Sequence, residues 1–569
     1  MSAPIGALVT RTYEGFRGVD FRGAEVSVQR SPDSLNMWKD YRVSDSIRTR
    51  PAATFGFDTD DTVHSISFFG DALMVHAGTT LYKVSGGLKA ELALNLADND
   101  SAAFVYDGKW YLLDGNRYIC YDGESVSEVV GFVPTTTIAR TPKGGGTIYQ
   151  SVNMLSDYRI NTFVGDGEST EYYLDVEDID NDFVPEIKVN GEPLDLVDNP
   201  FTAYVDGQNY IKFTKPLPAP LTTGQANVEI KFKVAVDGYR RAIEKCRMVQ
   251  VFDNRVFVTG NTDHPNMFWC SGLHDPTYFA DDDRYQVGMD DSPITGMVAG
   301  NDALWVFRRP SQENAGVFYY TPVTDEEKGR IYAYRHSSIS TGCVGKAINF
   351  NDDIVFFSPR GMEGVNIDIT REQAIAHRST LVDAKMLAEA NYEGMKLAEW
   401  EGYLLVFIGD KAYVADSRSV FSNDGHVEYD FFYWDFDSAI TAVAEKDGVL
   451  YLGTSNNEVC VMTTDSGWER KRQSYWVTPR DKFNADNKVK TTNKRGFVVE
   501  AQGDIKVDAR TDNGEYSHVA TVDGVTDRFT CRIKRKKWND IQLKIQSANE
   551  NGFVLKSATL EAYVGGYLK

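Results

Sequence analysis

Seven short apolar runs recur along the chain at a spacing of roughly 40 to 50 residues, which is the range expected for propeller blades. Each run, such as Leu304-Trp305-Val306-Phe307, is continuously apolar and therefore predicts a strand that is covered on both faces. Blades packed around an axis provide that cover, so the pattern predicts an all-β fold with a seven-bladed β-propeller core. The alternative is a set of unrelated β-hairpins in sandwiches. The turns that precede the runs are Phe69-Gly70-Asp71, Tyr106-Asp107-Gly108, Phe252-Asp253-Asn254, Ala299-Gly300-Asn301, Phe350-Asn351-Asp352, Trp400-Glu401-Gly402 and Glu445-Lys446-Asp447-Gly448.

Two other segments alternate apolar and polar residues, as strands with one solvated face do. The first separates the second and third repeats and includes Tyr210-Ile211-Lys212-Phe213 and the hairpin turn Asn190-Gly191. The second is the end of the chain, with runs such as Asp504-Ile505-Lys506-Val507-Asp508. These patterns predict an inserted β-sandwich and a C-terminal β-sandwich.

The predicted organisation has five segments, and one helical excursion at 371–390 is expected from the spacing of Ile375, Leu381, Met386 and Leu387. The segments are an N-terminal arm (1–60), a first propeller segment with two blades (61–133), the inserted β-sandwich (134–238), a second propeller segment with five blades (239–465) and the C-terminal β-sandwich (466–569).

Composition indicates where the chain folds and in which state its cysteines are. The stretch Met1 to Arg11 lacks the basic and apolar regions of a signal peptide, and no run approaches the roughly 20 apolar residues of a membrane span. We therefore expect folding in a cytoplasm and no membrane span. The six cysteines are scattered without paired spacing, which predicts buried free thiols.

Charge is distributed unevenly. The chain carries a net charge of −22, yet residues 470–569 contain 20 Lys and Arg against 12 Asp and Glu, so residues 1–469 carry −30. A general nucleic-acid binder needs a broad basic face, which this distribution does not favour. The densest basic run, Arg532-Ile533-Lys534-Arg535-Lys536-Lys537, is either a docking element or the solvated face of an edge strand.

No catalytic, cofactor or metal motif stands out, so we predict that the protein is not an enzyme. The eight histidines are widely separated, and neither GxSxG nor GxxxxGK[ST] occurs. Two acidic clusters, 175–182 and Asp281-Asp282-Asp283 with Asp290-Asp291, could bind calcium through carboxylates, but they do not match the EF-hand pattern. Solvated loop acids are the simpler interpretation.

Glycan-processing propellers supply the alternative function. The segment Thr463-Thr464-Asp465-Ser466-Gly467-Trp468 is similar to the Asp-box turn of sialidase-like blades, although its tryptophan lies too close to the glycine. Such chemistry needs paired carboxylates, or a tyrosine nucleophile with its acid partner. The alternative is therefore a glycan-binding or glycan-hydrolysing protein.

The order of these segments resembles the tail nozzle proteins, or tail tubular protein B, of short-tailed bacteriophages. The resemblance begins with the N-terminal segments Arg30-Ser31-Pro32-Asp33-Ser34-Leu35-Asn36-Met37-Trp38 and Arg48-Thr49-Arg50-Pro51. It continues in Met267-Phe268-Trp269-Cys270-Ser271-Gly272, in Leu304-Trp305-Val306-Phe307 and in Phe356-Phe357-Ser358-Pro359-Arg360-Gly361. A related propeller-containing ring, stopper or hub protein of another tailed phage is the neighbouring interpretation.

The resemblance implies a structural virion protein, synthesised in the host cytoplasm and located in the tail. Its expected partners are copies of itself in a ring, commonly sixfold, an adaptor or portal-proximal protein, and tail fibres or tailspikes. Double-stranded DNA would pass through the ring during ejection. If some of the acidic residues behind the net charge of −30 line the channel, they would repel DNA phosphates within about one Debye length, near 8 Å at 0.15 M salt.

Six residues are candidate assembly contacts. An extended polar arm must find cover elsewhere, so Arg30, Trp38 and Arg50 are expected to contact a neighbouring subunit, although packing on the same chain accounts equally well for Trp38. The basic residues Arg535, Lys536 and Lys537 are expected to meet an acidic neighbour.

Overall fold

Strands dominate the computed structural model, and the all-β prediction is confirmed. The structure describes residues 6–23, 26–43, 45–177, 179–180, 182–203, 209–235, 239–311, 315–326, 329–336, 341–366, 374–423, 426–467, 472–533, 537–549 and 551–567. Within these ranges the helices are short: Tyr239–Glu244, Asp383–Met386 and the 3-10 turn Tyr392–Gly394.

Seven four-stranded antiparallel sheets, numbered I to VII, account for the repeats. In each, the predicted turn joins the first strand to the second, and a residue with positive φ lies in every one of these turns, as Gly70, Asp107 and Glu401 show. The strands of sheet I are Val63–Phe69, Ala72–Ala77, Thr80–Ser85 and Leu88–Ala93; of II, Ala102–Tyr106, Lys109–Leu113, Tyr118–Tyr121 and Val126–Glu128; of III, Met248–Phe252, Arg255–Thr259, Met267–Cys270 and Arg284–Gln286; of IV, Ile294–Gly300, Ala303–Arg308, Val317–Asp325 and Gly329–His336; of V, Ala347–Phe350, Asp353–Ser358, Gly361–Asn366 and Ala374–His377; of VI, Lys396–Trp400, Tyr403–Ile408, Lys411–Asn423 and His426–Asp435; and of VII, Ile440–Lys446, Val449–Thr454, Glu458–Met462 and Thr54–Asp58.

Sheet VII is completed by the N-terminal arm. Its fourth strand, Thr54–Asp58, precedes sheet I in the chain but pairs antiparallel with Glu458–Met462. Sheets I and VII also share one hydrophobic cluster, which contains Val63 and Val75 from sheet I and Val459 from sheet VII. The last repeat is therefore joined to the segment before the first.

The sheets pack in chain order through apolar second strands. Met74 of sheet I packs with Trp110 and Leu112 of sheet II, and the same kind of cluster joins sheets II to III, III to IV, IV to V, and V to VI. Each interface removes large side chains from water, which is the main stabilising contribution in a fold with few helices.

The segment between sheets II and III forms two sheets around its own core. Phe163, Tyr172, Phe213 and Phe232 are buried in one cluster to which both sheets contribute. The six-stranded sheet comprises Thr147–Ile148, Thr135–Arg140, Tyr158–Phe163, Val228–Lys233, Glu186–Val189 and Glu192–Pro193, and the three-stranded sheet comprises Glu171–Tyr173, Tyr210–Phe213 and Phe201–Ala203.

The strands of the C-terminal segment and three strands of the arm join in one nine-stranded sheet. Ala7–Tyr13 pairs with Phe553–Tyr567, and Ile47–Thr49 pairs with the same long strand. The other members are Met37–Lys39, Tyr475–Val477, Lys488–Thr511, Ser517–Val525, Arg528–Cys531 and Ile541–Ser547. The arm therefore belongs to two sheets.

The helix predicted at 371–390 is wrong over most of its length. Ala374–His377 is the fourth strand of sheet V, with Ile375 opposite Val365, and only Asp383–Met386 is α-helical. Residues 371–373 lie outside the described ranges. The apolar spacing suggested a helix, but hydrogen bonding along the open edge of sheet V determines the conformation there.

Candidate functional site

The N-terminal arm is anchored to sheet VI through Asp430, which lies in the strand His426–Asp435 and is fully buried. Its carboxylate accepts hydrogen bonds from Arg17 at 2.7 Å and from Arg30 at 2.6 Å, and from the Ser419 hydroxyl at 2.7 Å. The Arg30 guanidinium also lies 4.5 Å from the centre of the Phe421 ring. One buried carboxylate thus holds two positions of the arm.

Backbone contacts fix the same stretch of the arm. The Val19 amide donates to the Phe431 carbonyl at 2.7 Å. Gly18 has a positive φ of 88°, and a Cβ at this position would overlap the Phe431 carbonyl oxygen. Only glycine allows so close an approach of the arm to the sheet.

Trp38 lies in a tryptophan cluster between sheet VI and the C-terminal sheet. Its side chain is 2% exposed, and its ring centre is 5.5 Å from Trp400, 5.9 Å from Tyr403 and 6.4 Å from Trp434. The Trp434 indole N–H donates to the Met37 carbonyl at 3.0 Å. The cluster joins the arm to both neighbouring sheets.

The Arg50 side chain also makes its contacts within its own chain. Its guanidinium donates to the Asn36 side chain, to the Pro51 carbonyl and to the Asp435 carbonyl at 2.7 to 3.1 Å, and it lies 4.4 Å from the Phe436 ring centre. At 1% exposure it has no surface for a neighbour.

These placements revise the assignment of the arm residues. Trp38 and Arg50 pack on their own chain, so a contact with another subunit would require them to leave a core. Arg30 is mostly covered by Asp430 and Phe421. Of the basic residues near the C terminus, Lys537 is exposed, whereas Arg535 and Lys536 lie outside the described residues.

The rings of His64 and His76 lie 5.1 Å apart, and two aspartates of the 281–291 acidic cluster form ion pairs. His264 lies 6.2 Å from the Trp269 ring, whereas His274 is near Tyr106. Asp283 pairs with Arg255, and Asp290 pairs with Arg308. Among the residues that the structure describes, no group of three His, Cys, Asp or Glu side chains could hold a metal ion, and no helix is long and apolar enough to cross a membrane.

A pocket of about 380 Å³ lies where the first strands of the sheets begin. Its walls come from sheets I, II, V, VI and VII and from the residue before sheet III, and an adjoining pocket adds the start of sheet IV. Three cations line it, Arg247, Lys346 and Lys396, together with the carboxylate of Asp100.

The pairing of these charges is incomplete. The Lys396 ammonium donates to Asp100 at 3.0 Å, and Arg247 donates to the Asn99 side-chain oxygen at 3.0 Å. The Lys346 ammonium has no hydrogen-bond or ion-pair partner within the described ranges. Burial lowers the pKa of Lys346, and the nearby Lys396 charge lowers it further.

The sequence contains one signal for this site, in the spacing between two lysines and the turns that follow them. Lys346 precedes the turn aromatic Phe350 by four residues, and Lys396 precedes Trp400 by the same distance. Aligning the repeats on their turns places both lysines at one structural position. Only the packing of the sheets shows that this position faces the same pocket in both repeats.

His76 is expected to make stability fall in mild acid. Burial, reinforced by His64, lowers its pKa to about 4. Because the unfolded chain binds the proton near pH 6.5, the unfolded state takes up more protons between about pH 6.5 and 4, and folding weakens as the pH falls through this window. Asp98 and Asp114 oppose the shift.

Urea unfolding on both sides of this window tests the prediction. His76→Gln should show a smaller loss of stability in acid than the natural protein, whereas the matched variant of exposed His518, His518→Gln, should not. Equal acid sensitivity in all three proteins would contradict it.

Comparison with known proteins gives no family. No family model and no curated protein matches the chain. Among solved structures, the computationally designed Ika8 protein has a TM-score of 0.33 at 11% identity, with 72% of this chain and 99% of that chain covered. BamB from Moraxella catarrhalis has a TM-score of 0.33 at 12% identity, with 73% and 97% covered. Similarity at this level identifies neither a relative nor a function.

Proposed function

We propose that sheets I to VII are the blades of a seven-bladed β-propeller, and that the chain is a structural subunit of a bacteriophage tail nozzle or related tail ring. The architecture is supported by the cyclic order of packing and by the arm strand Thr54–Asp58 in sheet VII. Propellers consist of four-stranded sheets around a central channel. The two sheets of the insertion, with their separate core, are the proposed sandwich.

The observation that carries the structural role is the use of the arm. The segments that resemble nozzle proteins, around Arg30 to Trp38 and Arg48 to Pro51, lie between sheet VI and the nine-stranded sheet and are anchored by Asp430, Asp435 and the tryptophan cluster. An arm built into two sheets joins the propeller and the C-terminal sheet into one body, which suits a subunit that bears load.

The first test is the mass and shape of the assembled protein. We expect particles of several subunits with a central opening, because ring subunits meet through heterologous interfaces that close by rotation. Native mass measurement and electron microscopy detect such particles. A protein that remains monomeric at high concentration, alone and with its tail partners, would contradict the proposal.

Charge reversal of the basic residues around Lys537 tests the docking hypothesis. If the basic C-terminal region meets an acidic neighbour, the triple reversal Arg535→Glu, Lys536→Glu and Lys537→Glu should impair incorporation into tails and leave the isolated subunit folded. Lys109→Glu, a reversal of an exposed lysine in sheet II, is the control. Equal incorporation of both variants would contradict the hypothesis.

Glycan binding or hydrolysis is the second candidate and would be indicated by turnover of a glycan library. The Asp-box-like segment 463–467 forms a local turn in which the Ser466 hydroxyl accepts from the Thr463 amide, and Trp468 lies outside the described residues. Reproducible hydrolysis would favour this candidate over the structural one.

We also propose that some of the acidic surface lines the ring channel. A predominantly basic channel wall in the assembled ring would contradict this proposal.

A further inference from the structure

The pocket at the start of the first strands is a cluster of like charges in a strongly acidic protein. Arg247, Lys346 and Lys396 line it with one carboxylate, Asp100, while the lining His64 is paired with Asp98 at 2.7 Å. The cations therefore outnumber the carboxylates even if His64 is neutral and Asp98 is counted. The chain as a whole carries −22, so the local excess of positive charge is opposite in sign to the rest of the molecule.

Such an arrangement is costly without a counter-charge. Cations that converge in a partly buried pocket repel one another, because their charges are screened less there than in bulk water. Burial lowers the pKa of Lys346, and the charge of Lys396 adds to this shift. Burial alone would raise the pKa of Asp100, but Lys396 and Lys346 outweigh it and lower this pKa as well.

The pocket has the size of a small-molecule site. Its volume of about 380 Å³ lies within the range of ligand pockets, roughly 300 to 1,000 Å³. Its lining includes Ser65 and Ser101, whose hydroxyls hydrogen bond to each other at 2.7 Å, and His76 bonds to Ser101 at 2.8 Å. Lysine, arginine and serine together are the groups that bind phosphate or carboxylate oxygens.

We propose that this pocket binds a small oxyanion, a phosphoryl or carboxylate compound of two or more charges, through Lys346, Lys396 and Arg247. Within the described residues no side chain pairs with the Lys346 ammonium; the bound anion serves as its partner and neutralises the excess positive charge. The site does not depend on the proposed tail function, because its lining residues belong to sheets I, II, V, VI and VII or directly precede one of the sheets.

Titration of the full chain with pyrophosphate and with citrate, at constant ionic strength, tests the proposal. Pyrophosphate represents the phosphoryl class and citrate the carboxylate class, and the tighter ligand identifies the class. Isothermal calorimetry should show saturable binding to one site per chain. The absence of saturable binding of either probe at millimolar concentration would overturn the proposal.

Four variants give the test its direction. Lys346→Met and Lys396→Met should each weaken binding by roughly 10- to 100-fold, as expected for the loss of a charge-assisted contact. Asp100→Asn removes the carboxylate that competes for Lys396 and should tighten binding. Lys109→Met removes an exposed lysine at the far end of sheet II and should leave the affinity unchanged.

The opposite signs separate a site from general screening or partial unfolding. If all four variants changed affinity alike, or if Asp100→Asn weakened binding as the lysine variants do, the proposal would be overturned. A thermal melt of each variant checks folding. If Lys346→Met failed to fold, the opposite effects of Lys396→Met and Asp100→Asn would still decide the result.

Discussion

Asp430→Ala is expected to lower the free energy of unfolding by about 3–5 kcal/mol, because removing one partner of a buried ion pair leaves the others uncompensated. The carboxylate is inaccessible to solvent and accepts from both Arg17 and Arg30. Without it, two guanidinium groups lose their counter-charge at the contact between the arm and sheet VI. Denaturant unfolding followed by tryptophan fluorescence measures the change.

Two comparisons isolate the buried pairing. Asp437→Ala removes a carboxylate that is 79% exposed and bonded to Arg472, and a surface pair of this kind contributes about 0–1 kcal/mol. Arg30→Ala should cost less than Asp430→Ala, since Arg17 still neutralises the carboxylate. Equal effects of Asp430→Ala and Asp437→Ala would show that the arm is not held by this charge.

Trp38→Ala is expected to destabilise the protein by a similar amount, about 3–5 kcal/mol, through the cavity that it leaves. Its indole fills the space among Trp400, Tyr403 and Trp434, where the aromatic edges contact the neighbouring rings. Since this cluster joins sheet VI to the C-terminal sheet, we also expect the two regions to unfold separately in the variant. Differential scanning calorimetry would show two transitions in place of one.

The matched control is Phe55→Ala in the same arm. Phe55 is 59% exposed in the strand Thr54–Asp58, so truncation should change stability by about 0.5 kcal/mol or less. If Trp38→Ala behaved like Phe55→Ala, the tryptophan cluster would not be the link between the two regions.

Much of the fold could be predicted from local pattern. A continuous apolar run flanked by Asp, Asn or Gly is a local feature, and each of the seven turns has the positive φ that these residues tolerate. The alternating runs likewise predicted the strands of the insertion and of the C-terminal segment. The short strand Ala374–His377 was missed because apolar spacing over a few residues does not distinguish a strand from a helix.

The candidate site was harder to predict from the sequence than the fold. Arg50 was predicted to contact a neighbouring subunit, and Trp38 either a neighbour or its own chain, but both are buried against Trp400, Trp434 and Asp435, which lie hundreds of positions away. The cations of the pocket were not singled out at all. Lys346 and Lys396 look like ordinary solvated lysines until two repeats are placed side by side.

By itself, the sequence determined what depends on neighbouring residues: the strands, their turns, the repeat length and the two inserted or terminal β segments. Only the tertiary structure decided what depends on residues far apart in the chain. It placed an N-terminal strand in the last sheet, joined three arm strands to the C-terminal sheet, and brought Arg247, Lys346 and Lys396 to one pocket. Pairing between distant strands leaves almost no local signal, because the same alternating pattern fits many partners and only the packing of the whole chain selects one.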